Sequence, residues 1–143
     1  MPDDSKEDVL SAQLLDGKAT AARLREETAA QVSALASALG RAPALAVVRV
    51  GDDAASVSYA KMIERSCGQV GVTFVPRLLE TASEDEVVEL VRALSSADDI
   101  DGIMVQEPLP AGISRDAVIA SLPPVKDVDG VHPLNAGLLL QNA

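Results

Sequence analysis

The spacing of apolar residues along the first half of the chain predicts a helix, a strand and a second helix. In residues 16–39, Ala, Leu and Val recur every three or four positions between charged residues, which predicts a helix that ends at Gly40. Residues 45–51 are nearly all apolar and rich in valine, as expected of a buried parallel strand. Residues 52–56 then predict a turn, and residues 57–70 a helix that stops before Gly71.

The second half continues this alternation. Residues 72–79 predict a second strand, and Pro76 places that strand at an edge of the sheet or at a bulge because proline cannot donate a backbone hydrogen bond. Ser83, followed by three acidic residues, predicts a capped helix that runs to about residue 97. Residues 103–106 predict a third strand.

This order of elements predicts an α/β fold in three layers, with a mainly parallel sheet flanked by helices and joined by right-handed crossovers. Ligands of such folds bind at the carboxyl ends of the strands. We therefore expect the loops at residues 51–59, 106–113 and 125–133 to meet around a binding site.

Composition narrows the class of protein. A chain of 143 residues with 48% hydrophobic and 24% charged residues suits one folded domain with an apolar core. A net charge of −10 disfavours nucleic acid as a partner, because an acidic surface repels phosphate. With one cysteine, no signal peptide pattern and no apolar run of membrane-spanning length, the sequence predicts a cytoplasmic protein without a membrane partner. We expect residues 1–10 to be disordered.

The only tyrosine, Tyr59, is the first candidate for ligand chemistry. It lies about one turn into the helix that follows Gly51, and Asp52, Asp53 and Ser56 offer polar groups at the end of the first strand. A phenol ring offers a flat apolar surface and a hydrogen-bonding tip, which suits a flat heterocyclic ligand. From the pattern alone, a core tyrosine with a satisfied hydroxyl is the slightly better interpretation.

Two later loops are further candidates. In VQEPLPAG (residues 105–112), the Gln106 amide can orient a ligand or a base, although a merely proline-stiffened connection fits equally well. In KDVDG (residues 126–130), a carboxylate can accept from ring N–H groups, although a solvated charged turn is the more common case. His132 has no histidine or cysteine partner at metal-ligand spacing, so we expect no metal site, and Cys67 is expected to be a small buried apolar residue.

Together these segments resemble a known family. The segments LDGKATAARLRE (15–26), VGDDAASVSYAK (50–61), GIMVQEPLPAGI (102–113) and KDVDGVHPLNAGLL (126–139) resemble the methylenetetrahydrofolate dehydrogenase/cyclohydrolase family, over residues 15–140. The resemblance implies a multifunctional enzyme of one-carbon metabolism that interconverts 5,10-methylene-, 5,10-methenyl- and 10-formyl-tetrahydrofolate. It implies oxidoreductase and hydrolase activities, with NADP or NAD as cofactor.

The resemblance also implies roles for individual residues. Tyr59 is expected to stack on the folate ring system, Gln106 to orient a catalytic lysine and Asp129 to hydrogen-bond the pterin. The remaining residues implied to bind substrate shape the cleft: Gly51, Ser56, Pro108, Leu109, Pro110 and Gly112.

The chain departs from the family pattern in two places. The family lysine four residues after the tyrosine is Ile63 here, and Lys61 lies about 200° around the helix from Tyr59. We also expect residues 1–143 to form the folate-binding catalytic domain alone, without the family's nucleotide domain and with no cofactor-binding residues. The alternative is a catalytically impaired folate-binding pseudoenzyme or remnant. The resemblance implies a folate substrate as the binding partner. A homodimer and a separate nucleotide-binding chain are both open possibilities.

Overall fold

A computed structural model describes residues 15–141, so the expectation for residues 1–10 lies outside the described part. Its helices and strands are α1 (Gly17–Leu39), β1 (Ala44–Val50), α2 (Ala54–Val70), β2 (Thr73–Leu79), α3 (Glu84–Ser96), β3 (Gly102–Val105), α4 (Arg115–Ala120) and α5 (Pro133–Leu140), with a short 3₁₀ helix at Pro124–Lys126. Among these residues, no helix combines the length and the apolar character needed to cross a bilayer.

The sheet confirms the predicted α/β architecture. Its three strands are parallel in the order β2-β1-β3, with helices on both faces. Strand β2 lies at an edge, as its proline predicted, and Pro76 pairs with Val47 of β1. Arg41 and Asp101 form a two-point ion pair at 2.7 and 2.9 Å, and Asp101 also accepts from the Ala44 N–H at 2.7 Å. These contacts tie the start of β1 to the start of β3.

Alternation along β1 divides its side chains between two faces of the sheet. Ala46 and Val48 are fully buried on the face that packs against α3 and α4, which we call the α3 face. Val47 lies on the opposite face, the α2 face, where it packs with Ile63 and Cys67 of α2. Cys67 is therefore the small buried apolar residue that its sequence position predicted, and burial raises the pKa of its thiol.

Helix α2 begins earlier than predicted, which corrects the expected turn at residues 52–56. The Asp53 carboxylate accepts from the backbone N–H of Ser56 at 2.9 Å, so Asp53 caps a helix that starts at Ala54. Helices α4 and α5 were not predicted. With six and eight residues, they are too short to give a clear helical repeat in the sequence.

Candidate functional site

The predicted loops meet at the carboxyl end of the sheet. A cavity of about 160 Å³ is lined by Tyr59, Met104, Val105, Gln106, Glu107 and Asp129. These residues come from α2, from β3 with the loop after it, and from the turn before α5. Tyr59 is 47% exposed, so it is not the core tyrosine that its pattern slightly favoured. Its ring is available to a ligand in this cavity.

Gln106 forms the buried wall of the cavity. Its residue is 6% exposed, and its side-chain Nε2 donates to the Ser56 carbonyl at 2.7 Å. This contact fixes the orientation of the amide, because a carbonyl must face the NH₂ group. The other amide atom, Oε1, is buried without a hydrogen-bond donor among residues 15–141. A buried acceptor without a partner is uncommon in folded proteins, so Oε1 is a candidate for a further hydrogen bond.

Ser56 is held by the helix cap. Its hydroxyl donates to Asp53 Oδ2 at 3.1 Å, and its backbone carbonyl receives the Gln106 amide. Hydrogen bonds from the Ser56 backbone and side chain lower the pKa of Asp53. The structure therefore places Ser56 behind Gln106 as a support, and its hydroxyl points to Asp53.

The two aspartates of the KDVDG turn have opposite surroundings. Burial raises the pKa of Asp127, but donors from His132, Asn135 and Val131 outweigh it, so the net pKa lies below the usual range. The contacts from His132 N and Asn135 Nδ2 measure 2.9 and 2.8 Å. Asp127 thus holds the turn together.

Asp129 is the free carboxylate of that turn. The residue as a whole is exposed, but its carboxyl group is partly desolvated. This desolvation, together with the negative charges of Asp127 and Glu107, raises the pKa of Asp129. No donor within the described residues satisfies its side chain, so it can accept hydrogen bonds from a ligand in the cavity beside Tyr59. Asp129 is also the aspartate to which the family resemblance assigns the hydrogen bond to the pterin, and that role stays a prediction.

The other expected substrate residues do not line this cavity. Gly51 borders a separate depression of about 560 Å³ with Arg49 and Leu78, and its φ of +82° explains the need for glycine. In the loop after β3, Pro108, Pro110 and Gly112 are exposed and Leu109 packs against the α3 face. Their roles in binding stay predictions.

The position of the family lysine is filled by a buried isoleucine. Ile63 is 9% exposed and packs with Val47 and Cys67, so this turn of α2 contributes apolar surface. Lys61 is exposed and borders a different cavity, between α2 and the edge of the sheet. Sequence reasoning missed Glu107, which lines the Tyr59 cavity, and Arg49, a charged residue inside an otherwise apolar strand.

The described residues do not fit a dinucleotide cofactor. Phosphate sites use free N–H groups at a helix N-terminus. At α2 the Asp53 carboxylate takes this place, and at α3 Ser83 and Glu86 close a capping box. Residues 15–141 also contain no group of three or more metal-ligating side chains, and His132 caps α5 by accepting from the Leu134 N–H at 3.2 Å.

The sequence of this chain is similar to that of known proteins. Residues 15–129 match the model of the tetrahydrofolate dehydrogenase/cyclohydrolase catalytic domain. The bifunctional protein FolD of Chloroflexus aurantiacus is 47% identical over 133 residues, which are 92% of this chain and 47% of the relative. The chain therefore spans about half the length of the curated relatives that it matches.

Solved structures are also similar. The bifunctional enzyme FolD of Campylobacter jejuni superposes with a TM-score of 0.84 at 37% identity, over 90% of this chain and 46% of the other. The Trypanosoma brucei methylenetetrahydrofolate dehydrogenase-cyclohydrolase, solved with NADP and an inhibitor, gives a TM-score of 0.82 at 27% identity, over 90% and 44%.

Proposed function

We propose a function from one premise, which is that the chain belongs to the tetrahydrofolate dehydrogenase/cyclohydrolase family and matches its catalytic domain. The chain binds a tetrahydrofolate derivative and contributes the folate-binding part of an enzyme that interconverts the 5,10-methylene, 5,10-methenyl and 10-formyl forms. Residues 15–141 form this domain. We place the protein in the cytoplasm.

One observation carries this proposal. Tyr59, Gln106 and Asp129 come from three separate segments of the chain and line one cavity. A flat aromatic face, an amide and an unpaired carboxylate are the groups that a heterocycle with ring N–H donors requires. A cavity of about 160 Å³ is smaller than a complete ligand site, so these residues form one wall of it.

Each side chain has a distinct task in this proposal. The Tyr59 ring stacks on the folate ring system, and Asp129 accepts from the N–H groups of the pterin. Gln106 holds its amide at the reacting end of the ligand, in the orientation that the bond from Nε2 to the Ser56 carbonyl sets. Glu107 lines the same cavity and adds negative charge beside Asp129.

Dehydrogenation needs a nicotinamide cofactor, NADP or NAD, to accept the hydride. Because the described residues do not fit such a cofactor, we propose that it is held outside them, in a further domain or on a partner chain. Hydrolysis of the methenyl form needs a group that moves a proton, and Ile63 has none. This residue is the observation in favour of the second candidate, a folate binder with impaired catalysis.

The experiment is a paired assay on the purified chain. Calorimetry measures the affinity for 5,10-methenyl-tetrahydrofolate, and a spectrophotometric assay measures its hydrolysis. Tyr59→Ala and Asp129→Asn are each expected to weaken binding about tenfold or more, since stacking and a charged hydrogen bond contribute roughly 1–3 kcal/mol each. Asp116→Asn, on the exposed start of α4, is the matched control and should leave binding unchanged.

The outcomes separate the two candidates. Binding together with turnover supports the enzyme, and binding without turnover supports the impaired binder. If the folded wild-type chain shows no affinity for the folate, or if both variants bind as well as the control, the proposed site is wrong.

A further inference from the structure

A second cavity lies on the α2 face and shares the lining residue Gln106 with the Tyr59 cavity. It has a volume of about 210 Å³ and is enclosed by α2, β1 and the edge strand β2. Its walls are mostly apolar, but four polar side chains reach it, namely Arg49, Lys61, Glu64 and Gln106. Gln106 lines both cavities and is therefore the wall between them.

Two residues that line this cavity each have a buried polar atom with no partner within residues 15–141. These atoms are Nε of Arg49, which is a donor, and Oε1 of Gln106, which is an acceptor. The other nitrogens do not compensate, since Arg49 Nη1 donates to the Gly51 carbonyl and Gln106 Nε2 donates to the Ser56 carbonyl. The two residues therefore offer an unpaired donor and an unpaired acceptor, which are complementary.

The strand register explains how a cation comes to lie here. Arg49 follows Val47 by two positions on β1, so both side chains project from the α2 face. Val47 packs against Ile63, the residue that replaces the family lysine on α2. The chain therefore lacks the family's cation at position 63 of the helix and carries one on the strand beneath it.

We propose that Arg49 is a positioning residue that acts through Gln106, with its guanidinium held beside the Oε1 side of the amide. Both residues line this cavity, and Nε and Oε1 are each buried without a partner among residues 15–141. This inference rests on the proposed function. The guanidinium places a fixed positive charge on one side of the amide, and the folate lies on the other. A guanidinium stays protonated at all ordinary pH, so it polarises the amide but does not take up a proton.

Lys61 is the competing source of positive charge. It borders the same cavity, but its side chain is exposed, and an exposed ammonium is well solvated. Arg49 is the better candidate because its Nε is buried and lacks an acceptor. The experiment must therefore compare these two cations.

The test replaces the amide by a titratable probe and does not depend on activity. In Gln106→Glu, NMR follows the carboxyl pKa of the new side chain, first alone and then combined with Arg49→Leu, Arg49→Lys or Lys61→Gln. Removing the positive charge of Arg49 should make the acid about tenfold weaker or more, and Arg49→Lys should reverse most of that change. Arg77→Leu, an exposed arginine on β2 that does not border the cavity, should change nothing.

The proposal is overturned if Arg49→Leu leaves this pKa unchanged, or if Lys61→Gln changes it more. A second measurement covers the case in which Gln106→Glu does not fold. Hydrogen exchange at Nε of Arg49 should be slower than at Nε of Arg77 in the unmodified chain, and Gln106→Leu should accelerate it. Equal exchange at the two arginines would also overturn the proposal.

A folate arm separates this inference from the proposed function. Arg49→Leu should weaken binding of 5,10-methenyl-tetrahydrofolate about tenfold, with recovery in Arg49→Lys. If the unmodified chain binds and Arg49→Leu binds equally well, the positioning role is wrong. If the unmodified chain binds no folate while the Arg49–Gln106 coupling is present, the proposed function fails and the coupling stands.

Discussion

The two faces of the sheet are built differently. On the α3 face, Val87, Val91, Ile103 and Val118 are all 0% exposed, and they pack in one continuous apolar core. On the α2 face, the buried apolar cluster consists of Val47, Ile63 and Cys67 with a few partly buried neighbours, and cavities adjoin it. One sheet thus separates two roles: the α3 face forms the closed apolar core, and the α2 face leaves polar atoms without partners among residues 15–141.

Neighbouring residues of β3 provide the largest test of this comparison. Ile103 projects into the α3 face, whereas Met104 lies on the α2 face and borders the Tyr59 cavity. Ile103→Ala should lower the free energy of unfolding by about 2–5 kcal/mol, because it leaves a cavity in a closed core. Met104→Ala should cost roughly half as much or less in the same urea titration. Equal losses would contradict the division between the faces.

The second prediction adds a charge to the α2 face. Ile63→Lys should give hydrolysis of 5,10-methenyl-tetrahydrofolate a gain of about 100-fold over the unmodified chain, within the range for a positioned proton-transfer group. The ammonium can reach polar surroundings along its flexible stem, so we expect the chain to stay folded. Ile63→Met is the control for shape without charge. A folded, folate-binding Ile63→Lys protein with no gain would show that Ile63 does not limit turnover.

The aspartates of the KDVDG turn give a third contrast, between a carboxylate that holds the turn and one for which we propose contact with a ligand. Asp127→Asn should lower the free energy of unfolding by roughly 1–3 kcal/mol, since an amide cannot accept from all the donors that hold this carboxylate. Asp129→Asn should not destabilise the fold, because no donor within the described residues pairs with it. Thermal melts of the two variants check the order, and a larger loss in Asp129→Asn would reverse the assignment.

The same contrast has a pH dependence. The pKa values of Asp101 and Asp127 are lowered in the fold, so their stabilisation is complete above the unfolded pKa and is lost as the pH falls through the folded value. The pKa of Asp129 is raised, so its contribution is complete below the unfolded pKa and is lost as the pH rises through the folded value.

Melts between about pH 3 and 7 should therefore show acid destabilisation of the unmodified chain. Asp129→Asn should become more stable relative to the unmodified chain as the pH rises across this window. This is the smallest of the expected effects. A constant stability difference between the two proteins across the window would contradict the raised pKa of Asp129.

The sequence predicted the framework because it depends on local patterns. The valine-rich strand, the edge proline and the Ser83 cap are each recognisable from a few neighbouring residues in the sequence. The site depends on contacts between distant segments, which a pattern does not record. Ser56 accepts from Gln106, which lies fifty positions further along the chain, and only the folded chain brings the two together. The fold likewise determines that Asp127, and not Asp129, holds the turn. Arg49 alone left a visible sign, as a charge in an apolar strand.

We propose that folate binds at the carboxyl end of the α2 face. A titration of the isotope-labelled chain with folic acid, a non-reacting probe, followed by backbone and side-chain NMR, tests this proposal. We predict saturable shifts at Tyr59, Gln106 and Asp129, with Val87 and Val118 of the α3 face unmoved. Shifts centred on the α3 face, or no shifts at millimolar folic acid, would contradict the account.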